Sequence, residues 1–148
     1  KMGIVCRCIR CREPRNLALD KAAISMSALR YEASHGTEVF ISFDDTTHDY
    51  LLGYCRLHIP AAPWRPEITA SSAGIRELHV LGQATPIGGS GAVQHTGLGM
   101  RLIAEAERIA KEEFGRDKML IIAGIGAREY YRKKLGYARD GPYMSRRI

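Results

Sequence analysis

Between Met100 and Phe114, apolar residues recur every three or four positions: Leu102, Ile103, Ala106, Ile109, Ala110 and Phe114. Arg101, Glu105, Glu107, Arg108, Lys111 and Glu112 occupy the positions between them. That period draws one apolar stripe along an amphipathic helix, which Gly115 ends. Met119 to Ala123 is apolar at successive positions and too short for a buried helix, so it predicts a central strand covered on both faces. A second helix is predicted from Ala127 to Leu135, closed by Gly136 and leading into a strand at Tyr137. Upstream, Ile75 to Leu81 predicts a strand that runs toward the turn before the first of these helices. Leu17 to His35, with apolar Leu19, Ala22, Ala23, Met26 and Leu29, predicts an amphipathic helix. Glu38 to Phe43 alternates as a strand, Asp44 to Asp49 is a turn, and Leu51 to Ile59 is the return strand of a hairpin. Pro60 to Ala73, with three prolines and Trp64, is a surface loop. Gln83 to Val93, with three glycines and one proline, is a second loop. It is expected either to cover a cleft beside the Ile75 strand or to be a plain connection.

The turn before the Met100 helix carries the first candidate chemistry. In Gln94-His95-Thr96-Gly97-Leu98-Gly99, two glycines let the backbone turn sharply and aim its N–H groups at an anion, with the helix dipole adding to the attraction. A dinucleotide fingerprint would need a third glycine at the position of Leu102, and no Gly-Lys-Ser/Thr follows as a P-loop requires. What remains is the Gln/Arg-x-x-Gly-x-Gly/Ala pattern of coenzyme A acyltransferases.

Four separate strings then stand in one order: Arg76-Glu77-Leu78-His79-Val80, Gln94 to Met100, Gly124-Ile125-Gly126-Ala127-Arg128-Glu129-Tyr130-Tyr131-Arg132-Lys133, and Asp140-Gly141-Pro142-Tyr143-Met144. In these the chain resembles the C-terminal acetyltransferase domain of the Elongator protein 3 family, of bacterial or archaeal type. The resemblance implies an α+β fold of the GCN5-related N-acetyltransferase (GNAT) class, a mixed, mostly antiparallel twisted sheet flanked by helices. It implies acetyl-CoA as ligand and the wobble uridine of tRNA as the target. It also implies a partner radical S-adenosylmethionine domain, with its iron-sulfur cluster, upstream in the full-length protein. The Cys-x-x-x-Cys-x-x-Cys motif of that domain is not in this sequence. Two rival readings are an N-acetyltransferase of lysine or small amines, and a tRNA-docking module without catalysis.

For thioester chemistry the site needs a polarised carbonyl, which main-chain N–H groups near His79 and Val80 at the end of a splayed strand can supply. Glu77, Leu78, His79 and Val80, with Gln94, Gly97, Leu98, Gly99, Met100, Arg101, Tyr130 and Tyr131, form the expected acetyl-CoA-binding set. Tyr131 resembles the tyrosine that many GNAT enzymes place against the leaving thiolate, and Tyr130 is expected to pack in the core. Tyr131 precedes Tyr137 by six positions where the usual pattern has five, which leaves open which ring faces the sulfur. Glu77, His79 and His95 are the candidate general bases.

Cys6, Cys8 and Cys11 place three thiols within six residues, too close for comfortable disulfides and suited to one tetrahedral zinc ion. Cys55 is the remaining thiol and the expected fourth ligand, with His35, His48 and His58 as alternatives. The division expected is a zinc-binding linker over residues 1–16 and the acetyltransferase domain over 17–148, cut from a longer cytoplasmic protein. A length of 148 residues with 45% hydrophobic composition suffices for one core. The net charge of +6 includes the clusters Arg7/Arg10/Arg12/Arg15, Arg132/Lys133/Lys134 and Arg146/Arg147, which suit a polyanionic partner.

Overall fold

The computed structural model describes residues 5–14, 23–33, 35–81 and 97–148. A seven-stranded sheet carries the order β1-β2-β3-β4-β5-β7-β6, made of β1 (Ile24–Glu32), β2 (Gly36–Asp45), β3 (Tyr50–Pro60), β4 (Ser72–Val80), β5 (Lys118–Ile121), β6 (Ala138–Asp140) and β7 (Tyr143–Arg147). Every pairing is antiparallel except β4 with β5. Helix α1 (Leu98–Arg108) is the crossover between those two strands, continued by a wider π turn over Ile109–Glu113. Helix α2 (Arg128–Leu135) follows a short 3₁₀ turn over Ile125–Ala127. Gly115 at φ 61° and Gly136 at φ 70° end the two helical segments, as the sequence predicted, because the left-handed backbone there suits glycine.

α1 buries Leu102, Ile103 and Ala106 against β2, β3 and β4, together with Val39, Ile41, Phe43, Leu57 and Ile75. The two apolar strands owe their burial to the period-two alternation that turns these residues to one face. A small second cluster, Ile68, Leu120 and Tyr143, lies on the other face. Among the described residues no helix is long and apolar enough to cross a membrane.

One element differs from the sequence reading. The helix predicted over Leu17 to His35 is, in its described second half, the edge strand β1, paired residue for residue with β2 from Ile24↔Asp45 to Glu32↔Thr37. Every residue from Ser25 to Glu32 is exposed, so no buried stripe enforces the helical spacing, and the unpaired edge of β2 decides the conformation. The predicted strand from Met119 to Ala123 ends at Ile121, and Ile122 is exposed rather than covered. The Gln83 to Val93 loop lies outside the described residues.

Candidate functional site

β4 and β5 run together only from Ser72↔Lys118 to Ile75↔Ile121. The amide of Ile122 still donates to the Ile75 carbonyl, at 3.3 Å, and there the strands part. β4 continues to Val80 paired only with β3, so from Arg76 onward one edge is open. A bulge opposite Arg56 and Leu57 shifts the register at this fork. Beyond it Leu81 N–H donates to Leu52 C=O, at 2.8 Å, which fixes the odd-numbered residues toward β3. By alternation the main-chain groups of Leu78 and Val80 face the gap. The expectation for Val80 thus has its geometry, whereas the main chain of His79 is turned to β3.

The start of α1 lies against the end of β4. Gly97 is the N-cap at φ 81°, and among the described residues no side chain caps the helix. The first turn-closing bond is Arg101 N–H to Gly97 C=O, 3.1 Å, so the amides of Leu98, Gly99 and Met100 have no partner within the helix. A Cβ built on Gly99 would touch Val80 Cγ2 at 3.6 Å, and one on Gly97 would meet open space. No acidic residue stands in the first turn. Free amides, a positive helix end and an open strand edge together fit a pyrophosphate followed by a thioester carbonyl. Leu98 is buried and Met100 exposed, and the Arg101 guanidinium lies 4.6 Å from the centroid of the Phe43 ring. Gln94 and His95 lie outside the described residues.

On α2 the expectation for Tyr130 is corrected. Tyr131 is buried in the main core while Tyr130, expected inside, is 42% exposed. Their rings meet edge to face at 5.6 Å. Burial, then the neighbouring Tyr130 and Cys55, raises the Tyr131 pKa, so its hydroxyl keeps its proton and remains a donor at neutral pH. Tyr137 donates to Glu107 Oε1 at 2.5 Å and is held above the usual phenol range, chiefly by burial.

Glu77 and His79 share the face of β4 opposite α1, and both meet Tyr54. The His79 ring lies 5.1 Å from that of Tyr54, whose hydroxyl donates to Glu77 Oε2 at 3.4 Å. Arg56 Nη1 donates to Glu77 Oε1 at 2.6 Å. That ion pair occupies one carboxylate oxygen of Glu77 and fixes the group on the strand face. Behind it lies Glu38, fully buried, which accepts from Arg76 Nη1 at 2.8 Å and lies 3.1 Å from His58 Nδ1. Sequence reasoning passed over Glu38, Tyr54 and Arg56, and considered His58 only as a zinc ligand. Their signal is the polar residue at every second position of two otherwise apolar strands.

Cys6, Cys8 and Cys11 converge, their sulfurs within 4.8 Å of one another on an exposed turn. Hydrogen bonds from the Cys11 backbone and from the Cys6 and Cys11 side chains lower Cys8 to about 7, and its neighbours push Cys11 up to about 11. The turn is anchored where Arg12 donates to Asp44 Oδ1 at 2.6 Å and its carbonyl accepts from Leu51 N–H at 2.8 Å. Cys55 is not brought to this cluster. It points into the main core at zero exposure, and burial raises its thiol to about 12. Period-two alternation in β3 turns it to the α1 face together with Leu57, which corrects the expected fourth ligand. Among the described residues no histidine joins the three thiols, and His48 is held by Asp45 at 2.9 Å. Several of the basic residues are spent internally: Arg146 on Glu107, Arg147 on Asp117, Arg132 and Lys133 on Glu129.

No family model matches the chain. It is 46% identical, over 99% of its length, to the tRNA uridine(34) acetyltransferase of Methanocaldococcus jannaschii, and 41% identical, again over 99%, to Elongator complex protein 3 of Drosophila melanogaster. The chain spans 28% of each of those proteins. The solved structure of archaeal Methanocaldococcus infernus Elp3 lacking its N-terminus matches with a TM-score of 0.88 and 44% identity, over 99% of this chain and 36% of that one. A GNAT family acetyltransferase from Staphylococcus aureus Mu50, 11% identical, shares the fold with a TM-score of 0.51, over 74% of this chain and 67% of that one. A strand that leaves its parallel neighbour beside a bare helix start is thus the GNAT acetyltransferase architecture. Within that class, the chain belongs to the Elongator protein 3 family.

Proposed function

We propose that this chain is the acetyl-CoA-binding domain of an enzyme that modifies the wobble uridine of tRNA. The observation that carries the reading is the open edge of β4 at Leu78 and Val80 beside the uncapped start of α1. The names of its relatives support the tRNA target. The amides of Leu98, Gly99 and Met100 hold the pyrophosphate, and the main chain of Leu78 and Val80 orients the acyl carbonyl and stabilises charge on its oxygen. When bound, acetyl-CoA supplies an activated two-carbon acyl group. Tyr131, kept protonated by burial, is the donor toward the departing sulfur. Glu77, tied to Arg56, serves as a positioning carboxylate, and His79 is the remaining base candidate on that face. The acyl group is hydrolysed or activated for delivery to a radical S-adenosylmethionine domain in the same cytoplasmic protein. The three N-terminal thiols hold a structural zinc whose fourth ligand is other than Cys55.

Gly99→Glu tests the reading. An acid in the first helical turn is favourable for the helix, so the fold should keep its thermal midpoint. The same charge repels an anionic ligand from the free amides, and acetyl-CoA affinity in calorimetry should fall at least about tenfold. Unchanged affinity in a folded variant would remove the glycine turn from the site.

A further inference from the structure

Among the described residues no helix covers the sheet face turned away from α1. β1 ends at Glu32 and β2 begins at Gly36, a connection too short to carry a helix across it. On this face lies a cavity of about 180 Å³, walled by Trp64, Leu120 and Tyr143, floored by Gly74 and rimmed by Arg76 and His58. Ile75 and Ile122, where β4 and β5 part, also line it, so it opens at the fork of the two strands.

Its chemistry is specific. Among the described residues no acidic side chain lines it, and the one full charge is the Arg76 guanidinium. The buried Glu38 carboxylate holds that guanidinium through Nη1, which leaves further N–H groups of the fork for a ligand. Trp64 offers an indole 63% exposed; among the described residues the Arg65 guanidinium lies over one side of the ring, its carbon 5.4 Å from the centroid, which leaves the other side as an apolar surface. An amine would meet a like charge and no carboxylate. A flat ring with apolar faces and carbonyl acceptors on its edge satisfies both walls and rim. The volume is below the roughly 300–1,000 Å³ of sites for drug-sized ligands, so it suits one ring rather than a whole nucleotide.

We propose that this cavity receives one unpaired uracil base of the RNA, stacked on Trp64 and hydrogen-bonded through its carbonyl oxygens by Arg76. The inference rests on the tRNA reading above and adds to it a base-anchoring subsite on this domain. RNA recognition of this kind uses splayed single-stranded bases on aromatic and guanidinium planes.

Trp64 is the single tryptophan of the chain, so its fluorescence reports the cavity directly. The chain is titrated with an RNA hairpin whose loop is all uridine and with the same hairpin carrying an abasic loop, which has equal phosphate charge. The uridine hairpin should quench Trp64 and bind roughly tenfold more tightly, the worth of about one stacked base. In Gly74→Val the new Cβ meets only Leu120 O, at 3.9 Å, so the backbone is undisturbed while the cavity is filled. That variant should bind both hairpins alike, without quenching, and bind acetyl-CoA as the parent does. Equal affinity of the parent for the two hairpins overturns the proposal. So does quenching that survives Gly74→Val, or a cavity that serves an apolar protein segment and gives neither quenching nor base preference. Loss of acetyl-CoA binding by the parent would instead overturn the functional reading, and the two hairpins would still decide the subsite.

Discussion

The two faces of one sheet are built from alternate residues of the same strands, yet they share almost no chemistry. Toward α1, β2 turns Val39, Ile41 and Phe43, and β3 turns Cys55 and Leu57, all closed from solvent. Toward the bare side the same strands turn Glu38, Phe40 and Ser42, then Tyr54, Arg56 and His58. The first face is held by area and packing, to which each side chain adds in proportion to the surface it hides. The second is held by a few directional bonds: Arg76 to Glu38, Arg56 to Glu77, and Tyr54 between the rings of Phe40 and His79. Stability therefore concentrates on one side and adjustable chemistry on the other, with the fork of β4 and β5 connecting them.

The contrast breaks most readily on the covered face. Leu102→Ala removes a fully buried side chain that packs on β3 at Gly53, where a Cβ would meet its Cδ1 at 3.5 Å. It should cost about 3 kcal/mol in denaturant unfolding, from lost transfer energy plus the cavity left behind. A loss below about 1 kcal/mol would mean that α1 is not what closes the core. On the bare face, Glu38→Ala leaves Arg56 and Arg76 facing one another without their shared carboxylate. Breaking a buried pair costs about 3–5 kcal/mol, but both guanidinium groups reach solvent, so a loss of about 2 kcal/mol is expected by the same measurement. Acetyl-CoA affinity should stay within about twofold of the parent, because the pyrophosphate site lies at the start of α1.

How far each face was legible in the sequence follows from the same difference. Helix α1 and its glycine turn were plain, since Leu102, Ile103, Ala106 and Ile109 repeat the helical period and Gly97 must take a positive φ. The strand β1 was not, because Met26 and Leu29, three positions apart, satisfy a helical spacing and fall on opposite faces of a strand, and only the presence of β2 decides. The cysteine cluster was legible because its members are close in sequence, whereas Cys55 is long-range and its direction is set by strand parity. The polar network on the bare face went unread for a related reason. Glu38, Arg56, Arg76 and Glu77 are far apart in the chain, and nothing local marks a charged residue in a strand as buried. The exposure of Tyr130, expected inside, shows the limit at single-residue scale, where the rotation of one short helix decides which ring is inside.

The smallest effect expected is a pH dependence that tests whether the bare face is dry. Burial, the largest influence, pushes His58 below its ordinary value of 6.5, with Arg76 and Arg56 acting in the same sense and Glu38 opposing them. Its folded pKa is therefore below its unfolded one. Between the two, the unfolded chain binds more protons than the folded one, so stability rises with pH. The contribution is complete above 6.5 and is lost as pH falls from 6.5 through the folded pKa. One fully differential proton sets the ceiling on that slope, about 1.4 kcal/mol per pH unit. His58→Gln keeps a polar amide beside Glu38 but cannot titrate, and should flatten the decline in unfolding free energy between about pH 7 and pH 5. Identical slopes in parent and variant would mean that water reaches His58 freely. Glu38 would then hold Arg76 in a solvated setting, and the distinction between a packed face and a directional one would rest on α1 alone.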